Sequence, residues 1–410
     1  MKKYISKYSK LPGLLLLLLS IVSGALFLAC DDNDSDNGGT PVVNYIRLTN
    51  PLKSDSLIAH AFMGNNIAII GENLQNVTEI WFNDQPAKLN TSFISSTNII
   101  VTIPNKIPDV VTNEIKLVLK NKTEITYPFG VDVPAPLLQG MLCEYVKDGD
   151  TAVIQGNFFI NDPSVPLQVI FPGNIAGTLI SSNINQILVK VPSGAGVGPI
   201  QVKSIYGSTR SVFYFRDDRN ILLDFDALTA AGGWRSGVLA NSAPASLSGN
   251  YVRFKGDMTA EPGWNEDAFS FNFWPSSNGR PDAPVYTGNL ADAAIKFECN
   301  VVEKWQSGAL QMIFTPYSTS NTNGYIGDGN VPRGLWMPWK ESGSYSTKGW
   351  TTVTIPLSEF KYKSDGGVCA TALTADMIRG LTFFVWAGGT KGTDCVVHMC
   401  IDNIRIVPVK

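Results

Sequence analysis

The sequence predicts an all-β protein: two tandem copies of one small sandwich module, followed by a larger, jelly-roll-like β-sandwich. Three observations point there. Short runs of β-branched and aromatic residues are punctuated by Gly, Pro, Asn and Ser at turn spacing, with no sustained helical period. One order of strands recurs about 85–90 residues after its first appearance. Eight of the nine tryptophans lie beyond Asp218, where the composition changes.

The chain opens with a leader. Met1-Lys2-Lys3, Lys7 and Lys10 supply positive charge, Leu14–Leu19 and Ile21–Leu28 are apolar, and the run ends in Phe27-Leu28-Ala29-Cys30. A basic segment, an apolar stretch and a small residue form a signal peptide over residues 1–29. Pro12, Gly13 and Gly24 interrupt the run, whose unbroken part falls short of the ~20 residues that cross a bilayer. Cys30 directly after the small residue resembles a bacterial lipobox, which implies lipidation of Cys30. The next stretch, Asp31-Asp32-Asn33-Asp34-Ser35-Asp36-Asn37-Gly38-Gly39, is too polar to fold and reads as a flexible tether over residues 30–42. Acidic residues behind a lipidated cysteine resemble the signal that places lipoproteins on the outer face of the outer membrane.

After the leader about 380 residues remain, enough for two or three domains. The first module, residues 43–134, has strand patterns at Ile67–Leu74, Thr78–Phe82, Asn98–Pro104 and Glu114–Leu119. The second, residues 135–217, repeats them at Ala152–Phe158, Leu167–Phe171, Gln186–Pro192 and Gly198–Val202. Pro134 and Pro136 at the junction fix φ and stiffen the link. Residues 218–410 carry further strand patterns, from Tyr251–Phe254 to Val396–Ile406, within the length of an all-β domain.

Composition excludes several classes. A net charge of −3 without a basic stripe gives no support to nucleic-acid binding. Two histidines, His60 and His398, cannot build a multi-histidine metal centre, and no cofactor is expected, while a structural calcium ion stays open. Beyond Cys30 the five cysteines form no Cys-x-x-Cys pair. Buried free thiols are expected, and one pair among Cys369, Cys395 and Cys400 stays open.

The chemistry to look for lies in the ring-rich C-terminal third. Polysaccharides present apolar C–H faces edged by hydroxyls, which flat aromatic rings and Asn, Asp, Gln and Arg side chains can match. The polar stretch from Tyr317 to Tyr345 supplies Tyr325, Asn330, Arg333, Trp336 and Trp339 as candidates, and long irregular loops are often functional. Trp234, Trp264, Trp336, Trp339 and, more weakly, Trp305 lie in irregular surroundings that favour exposure. Trp350 and Trp386 lie within strand patterns and are expected in the core, while Trp274 is ambiguous.

The strand-Gly-x-Asn-Phe/Leu pattern, followed by a strand and then a strand ending in proline, resembles immunoglobulin-like IPT/TIG domains. That likeness implies a structural role, with the glycine in a tight turn of positive φ. Together with the lipobox, the run from Gly349 to Phe360 (GWTTVTIPLSEF) and Ile401-Asp402-Asn403-Ile404-Arg405 resemble surface glycan-binding proteins of polysaccharide-utilisation systems. The resemblance implies a xyloglucan-binding type of C-terminal domain. It also implies partners: an outer-membrane transporter, a companion binding lipoprotein and a surface glycanase.

Two other readings compete. A glycoside hydrolase needs two facing carboxylates ~5–9.5 Å apart. Glu261, Glu266, Asp267, Glu298 and Asp402 are present without a compact paired motif, and no Gly-x-Ser-x-Gly elbow occurs. A structural or adhesive protein would use tandem modules equally well, but has no need to concentrate tryptophan in one domain. The sequence thus favours non-catalytic capture of a β-linked polysaccharide such as xyloglucan, with xylan, mannan and mixed-linkage glucan open.

Overall fold

The computed structural model describes residues 39–228, 238–262, 269–273, 283–315 and 331–409. The chain divides into two compact units, Met1–Val133 and Pro134–Lys410. Among the described residues every regular element is a strand or a single 3₁₀ turn, so the all-β expectation holds.

The first unit is a sandwich. A three-stranded sheet runs in the order Val42–Leu48, Asn66–Glu72, Asn98–Thr102. A four-stranded sheet runs Gln85–Pro86, Val77–Phe82, Glu114–Leu119, Glu124–Pro128. Period-2 alternation sends Ile67, Ile69, Ile80, Phe82, Ile99 and Leu117 into one core. A short parallel pair, His60–Phe62 with Gly130–Asp132, forms a separate two-stranded ribbon.

The second unit opens with a sandwich of the same plan. Its sheets run Leu137–Met141, Thr151–Asn157, Gln186–Lys190, Thr178–Asn183 and Ile175–Ala176, Gln168–Phe171, Gly198–Ser204, Gly207–Phe215. Ile154, Val169, Phe171, Ile187, Ile200 and Phe215 fill the space between them.

The repeated glycine has a different cause from the expected turn. Neither Gly71 nor Gly156 has positive φ. Instead, a Cβ on Gly71 would lie 2.0 Å from the carbonyl oxygen of Val42, and one on Gly156 would lie 1.9 Å from that of Leu137. In both modules the neighbouring strand shifts register beside the glycine, between Val43 and Tyr45 and between Leu138 and Gly140. The glycine therefore admits a bulged backbone. The left-handed residue comes two positions later, Asn73 at φ 58° and Phe158 at φ 59°. Asn tolerates that region; for Phe it is uncommon.

The rest of the second unit is a jelly roll of eight strands: β1 (Tyr251–Met258), β2 (Phe269–Phe273), β3 (Ala293–Val301), β4 (Ala309–Thr315), β5 (Arg333–Trp336), β6 (Thr351–Pro356), β7 (Gly380–Trp386) and β8 (Cys395–Pro408). Successive strands from β1 to β4 alternate between two sheets, ordered β1-β8-β3-β6 and β2-β7-β4-β5. Val238–Ala240 extends the first sheet beyond β1, and Ile221–Leu223 pairs with β8. Phe254, Phe297, Met312, Phe383, Met399 and Ile401 lie in the core between the sheets.

Polar residues join this domain to the sandwich before it. Glu144 is buried and meets Lys296 of β3 and Arg405 of β8 (2.7 Å from Nη2). Arg405 also grips Glu298 through two contacts of 2.8 and 3.0 Å. The Glu144 amide donates to Thr352 Oγ1, whose hydroxyl donates to Glu298, and the Thr352 amide donates to the Leu142 carbonyl. Burial alone would weaken the Arg405 charge, but Glu298 and Glu144 hold its pKa above the usual value. Arg216 and Tyr145 fasten the connecting segment, through Asp148 (2.7 Å) and the Asp217 carbonyl (2.6 Å).

All five described cysteines are free thiols, which closes the pairing left open among Cys369, Cys395 and Cys400. Among the described residues no helix is long and apolar enough to cross a membrane.

Candidate functional site

Trp350 sits at the start of β6, behind Gly349. Its position is set from below. Tyr251 is fully buried, and its hydroxyl donates to the Pro244 carbonyl (2.8 Å), with the Ser242 carbonyl 3.0 Å away as the alternative acceptor, ordering that loop. The next carbonyl, of Ala245, accepts the Trp350 indole N–H at 2.8 Å. The two rings meet edge to face, centroids 5.2 Å apart. With its N–H engaged and one edge on Tyr251, the half-buried indole leaves apolar surface for a groove.

That groove runs between the second sandwich and the jelly roll and encloses about 440 Å³. Leu142, Tyr145, Lys147 and Asp150 form one wall; Ser246, Leu247, Lys348 and Trp350 form the other. Clefts of ~300–1,000 Å³ at domain junctions are the common form of small-ligand sites. The lining combines an indole, aliphatic side chains and exposed groups of both hydrogen-bonding kinds. That inventory suits a polyhydroxylated ring with apolar faces. Next to the groove, the Arg405 guanidinium lies over the Tyr145 ring at 5.2 Å and pairs with Glu144, which ties the two walls together. Burial raises the Tyr145 phenol well above its ordinary range, so the hydroxyl stays a donor to Asp217.

The rings and the arginine chosen from the sequence are placed differently. Trp305 is 0% exposed, and its indole N–H donates to the Ser307 carbonyl. Trp339 is 4% exposed and donates to the Gly308 carbonyl at 2.7 Å. Arg333 is 0% exposed, with Nη1 donating to Gln311 at 2.9 Å. The expectation that these three are exposed is corrected: irregular backbone around Trp305 and Trp339 tucks inward, and Arg333 belongs to a buried polar layer. Trp336 is half-buried, packed edge to face on Phe297, Trp305 and Tyr345 at 5.5–5.8 Å. Trp350 and Trp386, expected in the core, are both half-buried. Trp234, Trp264, Tyr325, Asn330 and Cys30 lie outside the described residues, as do Trp274 and residues 317–330 of the polar stretch. Among the described residues no group of three or more His, Cys, Asp or Glu is placed to hold a metal ion.

Residues 215–408, the jelly roll with its approach, match the family described as surface glycan-binding protein B xyloglucan binding domain. Residues 55–129 match the IPT/TIG domain. The chain is a relative of the surface glycan-binding proteins. The crystal structure of surface glycan-binding protein PbSGBP-B from Prevotella bryantii is similar over 91% of this chain and 99% of that one, at 29% identity and a TM-score of 0.71. An IPT/TIG domain-containing protein of Bacteroides ovatus is 24% identical over 516 aligned positions, covering 99% of each chain. A surface glycan-binding protein B from a complex xyloglucan utilization locus of Bacteroides uniformis aligns with 90% of this chain and all of its own, at 16% identity and a TM-score of 0.47. The likeness to the Prevotella bryantii protein runs through the two N-terminal sandwiches as well as the terminal domain.

From the sequence alone Trp350 is passed over as a candidate, because a ring before a strand looks like core. A signal was available in Lys348-Gly349 before it, a charge and a flexible residue where a buried strand would carry neither.

Proposed function

We propose that this protein captures a β-linked polysaccharide at the cell surface without cleaving it, with xyloglucan as the first candidate. The observation that carries the reading is the Trp350 groove, a fixed indole between polar walls, in a chain related to surface glycan-binding proteins. The groove lining contributes one carboxylate, Asp150, where a glycoside hydrolase needs an acid and a facing base or nucleophile.

In this reading lipid on Cys30 anchors the protein to the outer membrane, facing outward. The acidic segment after it is the tether, and the immunoglobulin-like modules over 43–134 and 135–217 are spacers that lift the glycan-binding domain, 218–410, off the surface. Anchored copies gain avidity on one long polymer through high effective concentration. A transporter, a companion binding lipoprotein and a surface glycanase would take over the captured chain. Trp234, Trp264, Trp336, Tyr325 and Asn330 remain proposed contacts, while Trp305, Trp339 and Arg333 are buried and are no longer proposed as contacts.

Calorimetric titration of the protein against xyloglucan, xylan, mannan and mixed-linkage glucan tests the reading. Binding to one of them with no release of reducing ends supports it; cleavage abolished by replacing a single acid overturns it.

A further inference from the structure

The outer face of the second sheet, remote from the Trp350 groove, carries a second constructed recess. Two loops form it, around residues 362–367 and 387–390. They interlock backbone to backbone: a Cβ on Gly366 would lie 2.7 Å from the Gly388 carbonyl oxygen, and one on Gly389 would lie 1.7 Å from that of Asp365. Both glycines have positive φ, 82° and 72°. Only glycine allows loops to cross this closely.

Beneath the loops lies a buried amide. Gln311, on the outward side of β4, is 0% exposed; its Nε2 donates to the carbonyls of Ser364 (3.4 Å) and Ala387, one in each loop. Its Oε1 accepts from Arg333. Arg333 and Tyr362 exchange backbone hydrogen bonds of 3.0 and 3.1 Å, which fixes where the Tyr362 ring starts. The recess between the loops and β5 holds about 270 Å³, lined by Leu335, Met337, Lys340, Tyr362 and Asp365. Lys340 and Asp365 are exposed on the rim, and Lys361 lies over the Tyr362 ring at 5.6 Å.

We propose that this recess is a second saccharide subsite, and that it takes a single pyranose ring carried as a branch or chain end. The proposal rests on the glycan-capture reading. An aromatic ring, two aliphatic side chains, one carboxylate and one ammonium supply an apolar face with hydroxyl acceptors and donors at its edge. The volume lies just below the ~300–1,000 Å³ typical of ligand pockets, which suits one ring rather than a run of backbone. Because the recess and the groove lie on opposite sheets, a branched polymer touches the protein at two separate places.

The test titrates the full chain with a branched xylogluco-oligosaccharide and with an unbranched β-glucan oligosaccharide of equal backbone length. The parent should bind the branched probe at two sites and the unbranched probe at one. Tyr362→Ala and, independently, Asp365→Arg, which fills the recess from an exposed position, should each remove one site for the branched probe. Their unbranched titration and melting temperature should match the parent. If both variants bind the branched probe as the parent does while Trp350→Ala still weakens binding, the second subsite falls and the groove stands. If the parent binds neither probe, the glycan-capture reading and the subsite fall together.

Discussion

The carboxylate of Glu144, in the second sandwich, lies 2.7 Å from the guanidinium of Arg405, in the last strand of the jelly roll, and both are out of solvent. A pair placed this way says little about net stability, because desolvating both charges offsets their attraction. Removing one partner is another matter. Glu144→Ala leaves Lys296 without its buried carboxylate and Arg405 with Glu298 alone, and should lower stability by ~3–5 kcal/mol, read from urea unfolding. Lys116→Ala, which breaks an exposed pair with Glu124 in the first unit, should cost ~0–1 kcal/mol. The same reasoning applies to a fragment of residues 218–410. Without Glu144 it should melt well below the intact chain.

The tryptophans separate into two kinds. Trp350→Ala should weaken polysaccharide binding by ~1–3 kcal/mol, on the scale of ring stacking with nucleic-acid bases, while the fold survives. Trp339→Ala removes a core ring and should cost ~3–5 kcal/mol of stability. Titration calorimetry and thermal melting on both variants check the split; a Trp339 variant that melts like the parent would contradict it.

Asp402 gives the protein a pH dependence. It is fully buried, and burial first, then the charges of Glu298, Asp226 and Asp224, push its pKa up to about 8 against the Asn403 amide that donates to it. The unfolded value is about 3.9. Folded protein therefore holds this proton more tightly than unfolded protein does. The resulting stability is fully present below about pH 4 and is lost as pH rises through about 8. Asp402→Asn retains an oxygen for the Asn403 amide and removes the titration. Scanning calorimetry between about pH 5 and 9 should show a flatter profile for this variant and a higher melting temperature than the parent at the alkaline end.

The repeated glycines should be irreplaceable for a steric reason. Gly71→Ala and Gly156→Ala each force a methyl group onto a strand carbonyl and should cost ~1–3 kcal/mol of overpacking strain. A φ-driven turn would tolerate Asn at either position; a carbonyl at 2 Å would not, and thermal melts of Gly71→Asn and Gly156→Asn distinguish the two.

Fold class was legible in the sequence because alternation and turn residues act locally. The strand around Ile67 begins at Asn66, and the recurrence of its pattern at Ala152 follows from two cores built on one plan. Side-chain exposure in the site was much less legible. Arg333 looks like a surface arginine until Gln311, 22 residues earlier, is brought beneath it by strand pairing. Trp350 looks like core until a neighbouring sandwich leaves a gap beside it. Both depend on contacts between distant segments, which no window along the chain contains.

Strand β8 lies inside its sheet, paired with β1 on one side and β3 on the other. It is also the last strand of the domain to be synthesised. Until it arrives, β1 and β3 have no common partner, and Arg405, which anchors Glu144, is missing as well. The order of the strands along the chain thus builds in a delay. The first sheet of the jelly roll cannot close prematurely, because the strand that joins β1 to β3 follows both along the chain.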